Sequence, residues 1–313
     1  MRPKDVAFAS QLDVSLLSFS SRHRALPGIA GTARRQSFVE QFVESTRRIK
    51  YISVLCEQEL SASRANPLLD GFDPIKAAIL RMREGRIEEA FWLVFLSVHF
   101  GKHRRDGWRL ARDIYGALGR RSPWEWAETS ADPEAFREWL ETNETRLKGD
   151  GVSRHFGNHR KYQSLDARTA AGTGAAFETY VRWVGPPRTH KSLFGEAHQK
   201  CSKDPKATFD HLYNSMTAVA SFGRTAKFDY LTMIGKIGLA PIEPGSAYLE
   251  GATGPLLGAR LLFGGRPDSV ISRTTLDKHL VELGAHLGVG MQVLEDSLCN
   301  WQKSPERFKR FRG

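Results

Sequence analysis

The chain has 313 residues, 41% of them hydrophobic and 10% aromatic, enough to bury one large core or two lobes and too apolar for a disordered tail. Its 46 Lys and Arg against 35 Asp and Glu leave a formal net charge of +11, the balance of a protein that meets a polyanion; nucleic acid is the first candidate, an ordinary basic enzyme the plain alternative. Cys56, Cys201 and Cys299 are odd in number and far apart without a C-x-x-C pair, which argues against a disulfide framework and against a cysteine-based zinc or iron-sulfur site.

The first thirty residues read as an arm or short helix, with Arg22, His23 and Arg24 before a Pro27-Gly28 turn. No apolar stretch there is long enough for a cleaved leader. From Arg35 to Leu60, Phe38, Phe42, Ile49, Ile52 and Leu55 form a helical stripe, and Arg47, Arg48 and Lys50 lie off it as a solvated face. Asp73-Pro74 is a helix start, an N-cap followed by proline at the first helical position, and Gly85 ends that helix. Glu88 to His99 is apolar around most of its circumference and reads as the central buried helix. The most apolar run, Ala90 to Phe100, is roughly half the ~20 residues of a membrane span, so a soluble cytoplasmic protein is expected. His99 and Lys102 in HFGK are candidates for a substrate cleft, although a histidine ending a core helix also serves simply to cap it.

Trp108 to Leu118 reads as a further helix, and Asp132-Pro133 opens another. The segment Gly149 to Tyr162 then crowds Arg154, His155, Asn158, His159, Arg160, Lys161 and Tyr162 around Gly157, a density of polar groups suited to DNA. Asn and His read base edges, Arg and Lys hold phosphates, and Tyr stacks. His155 and His159 stand at i, i+4, but Gly157 between them and the lack of a third ligand argue against a metal, and no cofactor is expected. Gly172-Thr173-Gly174 precedes a helix with Phe177, Tyr180, Val181 and Val184, and Pro186-Pro187 is the expected boundary between lobes. The expected division is therefore an arm (1-30), a helical lobe (31-187) and a second helical lobe (188-313).

The densest stretch is Ser221 to Gly265. Gly223 and Arg224 sit where a short hairpin feeds a helix, whose exposed N-H groups and partial positive charge suit a DNA phosphate. Phe228, Leu231, Met233, Ile234 and Ile237 then give that helix an apolar side, Lys227 and Asp229 fall off it, and Gly238 stops it. Pro241, Glu243, Pro244 and Gly245 make a stiff loop. Two helices close the chain, Ser272 to Leu287 and Met291 to Trp301, followed by a basic tail.

The run SFGR-x-x-KFDYLTMIGK-x-GLAPIEP-x-SAYL-x-GATGPL-x-GARLLF, with HFGK-x-x-x-DGWRLA and DGV-x-RHFGNHRKYQSL upstream, resembles the alpha-glutamyl/putrescinyl-thymine pyrophosphorylases over roughly Leu26 to Gly265. That family is a branch of the helix-hairpin-helix DNA glycosylase superfamily associated with hypermodified phage bases. The resemblance implies an all-α, glycosylase-like fold of two helical lobes with a cleft between them, and action on a base in double-stranded DNA. Excision of a hypermodified pyrimidine by a monomeric antiviral enzyme is the expected activity; modified-base synthesis and non-catalytic DNA binding are the alternatives. The usual L-P-G-[IV]-G hairpin is replaced here by SFGR, and Leu26-Pro27-Gly28-Ile29-Ala30-Gly31 imitates it near the N-terminus with one residue inserted.

Cleaving an N-glycosidic bond builds positive charge on the sugar, so a carboxylate beside C1' is needed, and Asp229 and Glu243 are the candidates. Lys227 is a candidate nucleophile for a Schiff base with strand cleavage. Residues at i, i+2 on a helix point roughly 200 degrees apart, so Lys227 and Asp229 do not face one sugar, which favours a monofunctional enzyme.

Overall fold

A computed structural model describes residues 2–310. Among these residues every regular element is helical; bridges of a single residue pair, such as His103 with Gly107, are the extent of sheet-like pairing. The chain divides into two compact units, Met1–Val54 with Pro244–Arg312, and Leu55–Glu243. The Pro186-Pro187 pair lies inside the second of these.

The first unit holds α1 (Val6–Arg22) and most of α2 (Thr32–Glu57). Where an arm or short helix was expected, α1 is a helix of 17 residues, because Ala9, Leu12, Leu16 and Phe19 recur at helical spacing and all are buried. The Pro27–Ile29 turn that imitates a hairpin is a packing element. A Cβ on Gly28 would lie 2.0 Å from the Leu261 carbonyl oxygen, so the glycine is there for a close backbone approach.

The second unit runs through α3 (Pro74–Arg83), α4 (Ile87–Phe100), α5 (Arg109–Tyr115), α6 (Trp126–Ala131), α7 (Pro133–Gly149), α8 (Thr173–Val184), α9 (His190–Lys200), α10 (Pro205–Ser215) and α11 (Arg224–Ile237). Asp73 caps α3 as its spacing predicts, its carboxylate accepting from the N-H groups of Ile75 and Lys76. Helix α4 is buried continuously from Glu89 to Phe100 and forms the axis of this unit. Around it Trp92 donates to the Trp124 carbonyl at 2.8 Å, and Phe95 stacks on Tyr180 and on Phe222 with ring centroids 3.9 and 4.9 Å away. The helix expected over 108–118 is shorter, because Ala117 and Leu118 take positive φ and divert the chain. Helix α9 carries few apolar residues and had no reading from periodicity.

The chain then returns to the first unit with α12 (Gly254–Gly264), α13 (Arg273–Leu287) and α14 (Met291–Trp301). Ser272 caps α13 by accepting from the Thr275 N-H. Phe38, Leu262, Leu280, Leu294 and Trp301 belong to the core these helices share with α1 and α2.

Candidate functional site

Helix α11 starts where it does because the connector before it is anchored at three points. Phe222 is buried against Phe95, the Ala220 N-H donates to Thr179 Oγ1 at 2.9 Å, and Ser221, at φ +61, donates its hydroxyl to the Ala171 carbonyl at 2.6 Å. Gly223 is the exposed N-cap, and Gly238 ends the helix in the left-handed region at φ +81. Phe228, Tyr230, Leu231 and Ile234 are buried, which turns Asp229 to another side.

There Asp229 meets a loop from far upstream. Gly157 donates its N-H to the Phe100 carbonyl at 2.8 Å, and a Cβ on it would fall 2.7 Å from the carbonyl carbon of Gly101. This contact sets the short turn Asn158–Arg160 under the end of α4, where Arg160 is buried and donates Nε-H to the Val98 carbonyl at 2.7 Å. Its Nη2 lies 3.7 Å from Asp229 Oδ2, an ion pair longer than a hydrogen bond.

Asp229 keeps 46% of its side-chain surface open, although many protein atoms lie around it. Crowding pushes its carboxyl above the ordinary range, and the positive charges of Arg160, His159, Arg224 and Lys236 pull the other way without prevailing. Burial likewise lowers the Arg160 pKa against the pull of Asp229. The result is a solvent-reached carboxylate beside Arg160 and in the electrostatic field of His159, Arg224 and Lys236. Lys236 was not among the expected site residues; the signal for it is its place two turns beyond Asp229 on the same helix face.

The other candidates are placed differently. Glu243 is exposed and pairs with Lys206 at 3.7 Å near the start of α10. Lys227 donates to Thr217 Oγ1 at 2.9 Å and lies over the Tyr213 ring at 4.2 Å, its pKa lowered by burial. Arg154 is held inside the fold by Asp113 and Asp150, with contacts of 2.6 Å to each. His155 is turned toward Asp106, 2.7 Å away, and its ring lies beside that of His103. Lys102, Asn158, His159, Lys161 and Tyr162 are exposed, and Lys161 sits over the Tyr162 ring at 4.9 Å.

His99 is 1% exposed, its ring nearly parallel to those of Phe95 and Phe222, with centroids 5.8 and 6.3 Å away. The Thr173 hydroxyl donates to the Ser164 carbonyl at 2.7 Å, so His99 Nε2, 3.1 Å from that oxygen, is the donor. Burial, aided by the Arg160 charge, lowers its pKa to about 3, so the ring is neutral at physiological pH.

No helix among the described residues is long and apolar enough to cross a membrane. No curated protein and no solved structure matches the chain. The family model described as Alpha-glutamyl/putrescinyl thymine pyrophosphorylase clade 3 matches residues 33–313, and the chain belongs to this family, whose description names an enzyme of modified thymine.

Proposed function

We propose that the protein is a monofunctional DNA glycosylase that excises a modified pyrimidine from phage DNA, with Asp229 as its catalytic carboxylate. The observation that carries this reading is the solvent-reached Asp229 carboxylate, 3.7 Å from Arg160 Nη2 and in the electrostatic field of His159, Arg224 and Lys236. The cations hold the phosphates flanking a flipped nucleotide, and the net charge of +11 supplies the long-range attraction to DNA. As the N-glycosidic bond breaks, positive charge grows on the sugar, and the ionised carboxylate stabilises it and orients water toward C1'. Exposed Tyr162 and Asn158 serve the displaced base or its partner. Glu243, at the surface with Lys206, and Lys227, engaged with Thr217 and Tyr213, take no chemical step in this scheme.

The family description supports a second reading, modified-base synthesis through a pyrophosphate intermediate, because the same cations would hold pyrophosphate. One experiment separates the two. Purified protein is incubated with DNA carrying hypermodified thymine and with matched unmodified DNA, without and with pyrophosphate. Released bases are identified by mass spectrometry, and abasic sites are counted by alkaline nicking. Free modified base with abasic sites, independent of pyrophosphate and lost in Asp229→Asn, is the expected result. Turnover only with pyrophosphate and without abasic sites would replace excision by synthesis.

A further inference from the structure

We propose that His103, Asp106 and His155 form a binding site for one divalent transition-metal ion of the zinc, cobalt or manganese kind, with the Ser153 hydroxyl at its edge. One donor atom from each of the three residues fits within 4.8 Å of the others. The Nδ1 atoms of His103 and His155 approach the same carboxylate oxygen, Asp106 Oδ2, at 3.0 and 2.7 Å. Neighbouring ligand atoms around an ion with bonds of ~2.1 Å stand roughly 2.9–3.4 Å apart, so both histidine–carboxylate distances are close to those of a ligand set.

The donors are held in advance. His103 and Gly107 exchange two backbone hydrogen bonds of 2.9 and 3.0 Å, closing a tight turn in which Gly107 takes φ +61. Arg109 ties the second segment to this turn by donating to the Ser153 carbonyl at 3.0 Å, and Ser153 Oγ reaches both Asp106 oxygens at 3.0 Å. The Asp106 N-H lies 3.3 Å from His103 Nδ1. In the tautomer with a bare Nδ1, His103 can offer that single lone pair to an ion in place of the Asp106 N-H. Two imidazoles with one carboxylate suit borderline divalent metals and not Mg2+ or Ca2+, which take oxygen ligands. The side chain of Asp106 is 8% exposed and that of His155 is 62% exposed, so the cluster is anchored on the protein side and open to water on the other. A bound ion would join the Gly101–Gly107 and Ser153–His155 segments, which continue into the turn that presents Arg160.

The test uses the full chain purified without a histidine tag and stripped of metal. Co2+ and Zn2+ are added under metal buffering, and uptake is read by calorimetry, by the visible spectrum of bound Co2+ and by the thermal midpoint. We expect one ion per chain, a raised midpoint, and affinity at least about tenfold weaker in His155→Ala and Asp106→Asn. His155→Ala changes a mainly exposed side chain, so its fold is safe, and circular dichroism verifies this. The rival imidazole pair is His23 with His286, ring centroids 5.1 Å apart, and His286→Ala should leave binding unchanged. No stoichiometric uptake, equal uptake by His155→Ala, or uptake abolished by His286→Ala each overturns the site.

Discussion

Arg160 Nη2 stands 3.7 Å from Asp229 Oδ2, close enough to attract and too far to share a proton, and each charge is crowded more than its partner relieves. Such a pair costs the folded state energy that a bound substrate can recover. Its consequences for function and stability can be separated by mutation.

Asp229→Asn is expected to lower base release about 100-fold or more while leaving the protein as stable as wild type, or more so, at neutral pH. The sign follows from linkage: a carboxyl whose folded pKa is raised binds its proton more readily folded than unfolded, so its ionisation costs stability as pH rises through that range. Single-turnover base release and the thermal midpoint check both halves. Release within a few-fold of wild type would remove Asp229 from the chemistry.

Lys227→Met should retain most base release, and the wild type should form no adduct trapped by borohydride. The variant loses the bond to Thr217 and the contact with Tyr213, together about 1 kcal/mol of stability. A trapped covalent complex that disappears in Lys227→Met would make the enzyme bifunctional.

Gly157→Ala should destabilise by about 1–3 kcal/mol and reduce activity by misplacing Arg160. The new methyl would lie 2.7 Å from the Gly101 carbonyl carbon and 2.8 Å from the Lys102 nitrogen, backbone atoms that cannot rotate away. Urea titration and base release test this together, since a stable but inactive variant and an unstable one are told apart.

Glu89→Gln should gain stability above neutral pH. Burial pushes Glu89 from 4.5 up to about 7, against the hydrogen bonds from the Trp126 N-H and the Tyr115 hydroxyl. Wild-type stability from this group therefore falls as pH rises from about 4.5 through about 7, by an amount on the order of 3 kcal/mol. Glutamine keeps both contacts by accepting from Trp126 and donating to a reversed Tyr115 hydroxyl. Urea midpoints at pH 5 and pH 8 should converge in the variant; an unchanged pH dependence would argue against the buried acid.

His99→Phe acts on the acid side. A histidine with a folded pKa of about 3 against 6.5 is neutral in the fold, so it costs stability progressively as pH falls below 6.5. The variant should lose about 1 kcal/mol at pH 7 with the Thr173 contact, and decline less than wild type between pH 6.5 and 4. Parallel declines would mean that His99 is protonated in the fold.

Sequence spacing alone determined the helical class, the capped start at Asp73, the stop at Gly238, and the position of Asp229 off the apolar side of α11. These are local properties, since a helix repeats every 3.6 residues and a cap reaches only two or three positions along the chain. Tertiary packing decided what each polar group meets. Arg160 faces Asp229 because Gly157 nests against Gly101. His155 turns to Asp106 and His103, while His99, in a motif rich in polar residues, is buried beside Phe95 and Phe222. Apart from Phe95, one helical turn before His99, these partners lie tens of residues away in sequence, and nothing in a helical period encodes which distant side chain will fill the space opposite.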